Sequence, residues 1–290
     1  MMNRVPHPYP SVRRVLLILL SLPVLQLLLV LLQEDVSSQG SLAVTELWLL
    51  WIAGITVRRR RWSPEDVFLL NAAPGLFFFV VAPMTIGAGL VFGQIDRWAA
   101  VGWQWLDWTQ PLQLQHDMVQ MQIISDPGSI APTLLVMVLL PAICEEAFFR
   151  GFLYTGLRYH YGPRIAWVGS SLIFAAAHLN PWQFPALVGL GLFLGWLVHR
   201  SHSVYPAMLA HGLVNLLSVV AVNLRTHVGV DPLGAGQSLS PAVLTGAIFV
   251  ACLAAWRLQK MRPIMPAISP FVHSALHSAR SLVGGPISKT

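Results

Sequence analysis

Long apolar segments separated by short polar ones dominate this sequence. Eight of them approach the length of about 20 residues that a helix needs to cross a hydrocarbon layer of about 30 Å. The pattern predicts an all-α protein, a polytopic transmembrane helical bundle with about eight spanning helices. The runs occupy residues 14–32, 42–57, 67–93, 130–157, 164–179, 184–199, 203–223 and 240–257. The second, fifth and sixth of them are short.

The composition agrees with this pattern, because 55% of the residues are hydrophobic, only 10% are charged and the mean hydropathy is +0.63. Soluble domains carry about a quarter charged residues. The net charge of +6 does not indicate a nucleic-acid partner, since the cations lie at the ends of apolar runs. Cys144 and Cys252 both lie inside apolar runs, so we expect no structural disulfide.

The first apolar run has one feature of a secretory signal peptide, because Arg13 and Arg14 precede it. Its core of about 18 residues is long for that purpose, and no A-x-A-like cleavage site follows. We therefore expect a retained membrane helix and keep the signal peptide as the alternative.

Positively charged clusters predict the orientation of the bundle. If eight helices alternate in direction, every cluster falls on the same side of the membrane. The positive-inside rule makes that side the cytoplasm, so both termini are expected there. The clusters are Arg4 with Arg13 and Arg14, Arg58 to Arg61, Arg158 with Arg164, Arg200, and Arg257 with Lys260 and Arg262.

The same pattern predicts one transmembrane domain over residues 1–262 and a loosely ordered cytoplasmic tail over 263–290. The longest loop, about 94–129, faces the opposite side. Its tryptophans favour a segment anchored at the headgroup boundary, with an aromatic ligand platform as the alternative. They are Trp98, Trp103, Trp105 and Trp108.

Two adjacent glutamates and an arginine interrupt the fourth apolar run. The chain has only 12 acidic residues, and no charge lies between Ile130 and Cys144. Residues four apart share a helix face, so Glu146 is expected to pair with Arg150, while Glu145 points elsewhere and is free for acid–base work. An ionisable group at membrane depth is costly and is typical of a functional site.

Two histidines and an asparagine lie at a similar depth on other helices. His178 follows Arg164 by 14 residues and His211 follows Arg200 by 11, which is about 21 and 17 Å along a helix. Glu145 lies 13 residues, about 20 Å, from the turn after the fourth run. Asn215 shares a helix face with His211. A lone buried histidine usually only hydrogen-bonds a backbone carbonyl, but the matching depths favour a catalytic cluster.

The motifs around these residues resemble those of the CAAX protease and bacteriocin-processing (CPBP, or Abi) intramembrane endopeptidases. Residues 145–153 are similar to the family signature E-E-x-x-F-R-G-x-L. Phe174 to His178 fits its F-x-x-x-H motif, and His211 to Asn215 fits its H-x-x-x-N/D motif. The resemblance covers about 130–220, which would be the catalytic core.

The resemblance implies hydrolysis of a peptide bond in a membrane-embedded or membrane-tethered substrate, lipidated in CAAX processing. It also implies a multi-pass protein, for which we expect the bacterial inner membrane and a site open to the cytoplasm. Glu145 would be the general base, acting on a water held beside His178. His211 and Asn215 would stabilise the oxyanion. Glu146 and Arg150 would orient the site or contact the substrate backbone.

The cofactor requirement is open at this point, between none and a divalent metal such as zinc. Glu145, His178 and His211 would be the ligands of such a metal, leaving a position open for water. The chain has no H-E-x-x-H motif, which slightly favours the metal-free alternative.

Other classes of protein remain as alternatives. A proton- or metal-coupled transporter would bind its ion through membrane Glu and His residues, but the sequence shows no repeated halves. A non-catalytic scaffold would be expected to lack one of the site residues. A haem protein ligated by His178 and His211 would leave both glutamates unexplained.

Overall fold

The computed structural model describes residues 9–31, 37–230 and 238–261, and within these ranges it contains helices and no strand. The prediction of an all-α helical bundle is confirmed. The predicted tail, 263–290, lies outside the described residues. The helices are α1 (Val12–Leu31), α2 (Ser38–Arg60), α3 (Pro64–Phe68), α4 (Gly75–Trp105), α5 (Leu112–Gln120), α6 (Pro127–Tyr161), α7 (Pro163–Ala177), α8 (Phe184–Ser201), α9 (Tyr205–Val228) and α10 (Pro241–Lys260).

Each predicted apolar run lies largely within one helix. In the described part of the chain, seven helices are long and apolar enough to cross a membrane: α1, α2, α4, α6, α8, α9 and α10. The fifth run forms α7, which is apolar but has only 15 residues. The chain is therefore an integral membrane protein with seven long helices and one shorter apolar helix beside them.

The third run is displaced from its predicted position. Its first residues belong to the short helix α3 and a turn, because Pro74 disfavours helical geometry in the residue before it and α4 begins only at Gly75. At the other end α4 continues to Trp105, so the predicted loop of 94–129 begins about ten residues too early. The rest of that connection contains the exposed helix α5.

The tryptophans of this region partly pack against one another. Trp103 donates to the carbonyl of Trp182 at 3.0 Å, and Trp182 donates to the carbonyl of Trp108 at 2.9 Å. Trp98 and Trp105, both on α4, are exposed. These contacts join the end of α4 to the turn between α7 and α8, and anchoring at a membrane surface stays a prediction.

Helix α6 is irregular at two places. Pro141 has no N–H to donate to the carbonyl four residues earlier, and a π-helical segment, Leu135–Leu139, ends just before it. A second π-helical segment begins at Glu146, and such segments are frequent at functional sites. In order, α6 consists of Pro127–Ser129 (3₁₀), Ile130–Leu134 (α), Leu135–Leu139 (π), Leu140–Glu145 (α), Glu146–Leu153 (π) and Tyr154–Tyr161 (α).

The ends of α6, α8 and α10 that carry basic residues meet on one side of the bundle. Arg158 lies 3.2 Å from His202 Nδ1, and Arg200 donates to the carbonyl of Gln259 at 2.7 Å. Burial, and then the charge of Arg158, lower the pKa of His202, which suits a neutral ring that accepts from arginine. Three of the predicted clusters, those at the ends of α6, α8 and α10, are therefore close in space.

Helices α7 and α8 pack closely through glycine. A Cβ on Gly191 would lie 3.0 Å from the carbonyl oxygen of Ser171, and one on Gly195 would lie 2.8 Å from the indole of Trp167. Small residues let membrane helices approach in this way. The approach also exposes the Gly191 carbonyl to α6, where it becomes part of the site.

Candidate active site

The six residues singled out by the sequence come from three helices that pack together. Glu145, Glu146 and Arg150 lie at the middle of α6, His178 follows the last residue of α7, and His211 and Asn215 lie on α9. The structure brings all of them except Asn215 into contact with another member of the set.

A fully buried ion pair lies at the centre of this site. Arg150 Nη1 donates to Glu146 Oε1 at 3.0 Å, and neither side chain is exposed to solvent. The predicted pairing of these two residues is confirmed. His211 Nδ1 lies 2.9 Å from the same oxygen, Glu146 Oε1. Because a carboxylate only accepts, this ring nitrogen carries a hydrogen and donates it.

Arg150 has two further partners. Its Nη2 donates to the carbonyl of Gly191 at 3.2 Å, and its guanidinium carbon lies 4.1 Å from the centre of the Phe174 ring. Such a cation over an aromatic face is stabilised most where water is absent. α6, α7 and α8 therefore all contribute to holding one charged side chain.

Glu145 faces away from this ion pair and towards His178. The distance from Glu145 Oε2 to His178 Nε2 is 3.8 Å, too long for a direct hydrogen bond. His178 Nδ1 lies 2.8 Å from the backbone carbonyl of Phe174 and must donate to it. In a neutral ring Nε2 is then an acceptor. Two acceptors thus face each other across a gap that one water molecule could bridge.

Phe174 connects the two halves of the site. Its ring is fully buried and meets the rings of His178 and His211 edge-on, with centroids 4.7 and 5.9 Å away. Arg150 covers the ring, as described above. The F-x-x-x-H spacing therefore fixes both the rotamer and the tautomer of His178.

Asn215 lies one turn beyond His211 on α9, as its spacing predicts. Its side-chain amide makes no hydrogen bond to any residue that the structure describes, and the residue is half-buried. Its two N–H groups are thus available to a ligand.

Glu46 on α2 is a site residue that the sequence reasoning missed. The residue is 3% exposed, and its carboxyl group is close enough to that of Glu145 for the two to interact electrostatically. The signal was present, because Glu46 is the one charged residue between Asp35 and Arg58, inside an apolar run.

The three side chains considered as metal ligands do not converge. Within the described ranges, no group of three or more His, Cys, Asp or Glu side chains could hold a metal ion. Glu146 engages Nδ1 of His211, so only Nε2 of that ring could serve as a ligand. Cys144 is a free thiol buried next to Glu145, as a structural residue would be.

The comparison with known families agrees with the motifs. The sequence model of the family described as type II CAAX prenyl endopeptidase Rce1-like matches residues 127–217. The family resemblance is confirmed. All six predicted site residues lie within the matched segment, whereas α1 to α5 and α10 lie outside it. No curated protein and no solved structure gives a significant match.

The match of this segment to the CAAX protease family model favours a hydrolase of the protease class over the transporter, scaffold and haem alternatives. It also agrees with the apolar helices, since a prenylated substrate is held at the membrane. The match therefore supports, at a coarse level, an intramembrane CAAX endopeptidase.

The buried ion pair generates a stability prediction. Glu146→Ala leaves the Arg150 guanidinium buried without its carboxylate, which typically costs about 3–5 kcal/mol. We expect a clear fall in the thermal unfolding temperature of the purified protein in detergent. The double variant Glu146→Ala/Arg150→Leu should recover part of that loss.

The matched control is Glu65→Ala, which removes an exposed carboxylate on α3 and should leave the unfolding temperature nearly unchanged. A Glu146→Ala protein as stable as the wild type would contradict the structural role of this ion pair.

Proposed function

We propose that this protein is an intramembrane endopeptidase that cleaves a peptide bond of a membrane-associated or lipidated protein with a water molecule activated by Glu145. The observation that carries the proposal is the 3.8 Å gap between Glu145 Oε2 and His178 Nε2. A water held at about 2.8 Å from each acceptor would lie to one side of the line that joins them.

In this proposal the water donates one hydrogen to Glu145 and the other to His178, so its lone pairs point out to the substrate carbonyl. Its oxygen attacks the carbonyl carbon while Glu145 takes a proton. When the C–N bond breaks, Glu145 returns that proton to the leaving nitrogen. A new carboxylic acid, which keeps the second hydrogen of the water, and a new amine result, and the base is regenerated.

The negative charge that develops on the carbonyl oxygen requires hydrogen-bond donors. The free amide of Asn215 is one candidate. His211 is the other, although its Nδ1 hydrogen is engaged by Glu146 at 2.9 Å. Its Nε2 therefore donates to the oxyanion only when the ring carries both protons.

Glu146 and Arg150 act in this proposal by orienting the site. Both side chains are fully buried and bond to each other, to His211 and to Gly191, while Glu146 Oε2 and Arg150 Nε have no hydrogen-bond partner in the described part of the chain. This arrangement favours the orienting role over direct contact with the substrate backbone.

The most direct test is Glu145→Gln. The amide has nearly the same shape but cannot accept a proton, so we expect at least a thousandfold loss of turnover in line with general-base catalysis. The unfolding temperature should stay close to that of the wild type. The assay is cleavage of a prenylated CAAX peptide by purified protein in lipid.

Glu65→Gln, on the exposed face of α3, is the matched control and should keep full turnover. Wild-type turnover in Glu145→Gln would show that another group is the base.

A metal-free reaction is the second part of the proposal, since Glu145, His178 and His211 do not gather around one point. We expect purified protein to contain less than about a tenth of a zinc per chain and to keep its turnover after dialysis against a chelator. Inductively coupled plasma analysis of the same sample measures the metal. One metal per chain, lost together with activity and restored with it, would contradict this part.

For the location we propose the bacterial inner membrane, with both termini and the opening of the site on the cytoplasmic side. The support is the shared end of α6, α8 and α10, where arginines gather. Single cysteines at Tyr161 and Gln113, both exposed, report the two sides in a background with Cys144→Ala and Cys252→Ala.

A membrane-impermeant thiol reagent should label Tyr161→Cys only in inverted vesicles and Gln113→Cys only in intact spheroplasts. An impermeant substrate should likewise be cleaved only when it is added to inverted vesicles. The reverse pattern would overturn the orientation.

A further inference from the structure

The position of His178 depends on the turn that follows α7. His178 comes directly after the last residue of α7, and its side chain is 29% exposed, so packing around the ring does not enclose it. The next residue, Leu179, has a φ of 51°, a left-handed conformation that is unfavourable for a residue with a Cβ. Such a residue persists where the surrounding structure holds it. The turn therefore needs partners outside α7.

The partners are tryptophans at the end of α4. Trp103 Nε1 donates to the carbonyl of Trp182 at 3.0 Å, and Trp182 Nε1 donates to the carbonyl of Trp108 at 2.9 Å. The ring centroids of Trp103 and Trp108 are 5.1 Å apart, and those of Trp108 and Trp182 are 5.6 Å apart. These two hydrogen bonds and three rings, here called the tryptophan latch, join the turn to α4.

The chain folds back at the end of α4 to complete the tryptophan latch. The N–H of Trp108 donates to the carbonyl of Trp103 at 3.0 Å, and Asp107 between them has a φ of 51°. This reversal places the carbonyl of Trp108 where the indole of Trp182 can donate to it.

The turn after α7 is also braced from within. Asn180 is 9% exposed, its Oδ1 accepts from the N–H of Gln183 at 3.3 Å, and its Nδ2 donates to Gln183 Oε1 at 3.0 Å. These bonds span Trp182, so a displacement of Trp182 is passed along the braced turn to His178.

We propose that Trp103 and Trp182 are positioning residues whose hydrogen bonds fix the turn after α7 and, through it, the imidazole of His178 towards Glu145. Trp103 lies outside the segment that matches the CAAX protease family model, so the proposal makes the end of α4 part of the site. The effect on turnover rests on the proposed function, in which His178 holds the attacking water.

Trp103→Phe tests the latch, because it keeps an aromatic ring and removes only the N–H that the carbonyl of Trp182 accepts. We expect kcat to fall about tenfold, the effect of losing one such hydrogen bond. KM should change little, since the latch does not reach the substrate. Trp182→Phe, which removes the other hydrogen bond, should act in the same way.

Trp98→Phe is the matched control and should keep the kcat of the wild type. Its indole is exposed on the same helix and makes no hydrogen bond to a residue that the structure describes.

A double-mutant cycle separates positioning of His178 from a general structural effect. In a His178→Ala background, Trp103→Phe should cause no further loss of turnover, because the residue that it positions is already gone. A tryptophan that only stabilises the fold would lower the turnover of both backgrounds equally.

Nuclear magnetic resonance of protein labelled with ¹⁵N-histidine reads the position of His178 without any substrate. The Nδ1 hydrogen that His178 donates to the carbonyl of Phe174 should exchange slowly with solvent in the wild type. Its signal is identified by its absence from His178→Ala. In Trp103→Phe we expect this exchange to be about tenfold faster, at a nearly unchanged unfolding temperature.

Three results would overturn the proposal. They are unchanged kcat and unchanged exchange in Trp103→Phe, losses that simply add in the double variant, or an equal loss in Trp98→Phe, which would point to anchoring at the membrane surface instead. If the wild-type protein cleaves no CAAX peptide although Trp103→Phe accelerates the exchange, the proposed function fails and the latch stands.

Discussion

The site depends on neutralising a carboxylate and a guanidinium that have been taken out of water. Glu146 and Arg150 are both inaccessible to solvent and 3.0 Å apart. Each ion alone would lose several kcal/mol of hydration, and only close pairing with further hydrogen bonds offsets that loss. The surrounding residues supply part of these interactions, since Gly191 offers its carbonyl, Phe174 its ring face and His211 its Nδ1 hydrogen. Glu146 Oε2 and Arg150 Nε remain without a partner among the described residues.

The residues that surround this ion pair also position the other side chains of the site. Phe174 lies under Arg150, and its carbonyl accepts from His178, so His178 presents an acceptor to Glu145. His211 is fixed from the other side by Glu146. Glu146 is thus engaged in the ion pair. The adjacent Glu145 is outside it and, in the proposed mechanism, accepts the proton. The same low-dielectric surroundings strengthen every hydrogen bond in the site.

Most of the helices could be predicted from the sequence, because membrane helices are long apolar segments. Most of the site residues could be predicted as well, because few polar residues lie inside those segments. The pairing of Glu146 with Arg150 follows from their spacing. The start of α4 was misplaced because an apolar run does not show where Pro74 separates a turn from a helix. Glu46 was missed because the packing of α2 on α6 is a tertiary contact that no local motif encodes. His211 forms its hydrogen bond with Glu146 and not with Asn215, which likewise only the three-dimensional structure reveals.

The central claim is that Glu145 acts through water and forms no covalent bond to the substrate. A single turnover of a prenylated CAAX peptide in water enriched in heavy oxygen tests it directly by mass spectrometry of both product and protein. The account predicts one heavy oxygen in the new carboxylate of the product and none in the protein. Heavy oxygen in the side chain of Glu145, which a mixed anhydride would leave behind, would contradict it.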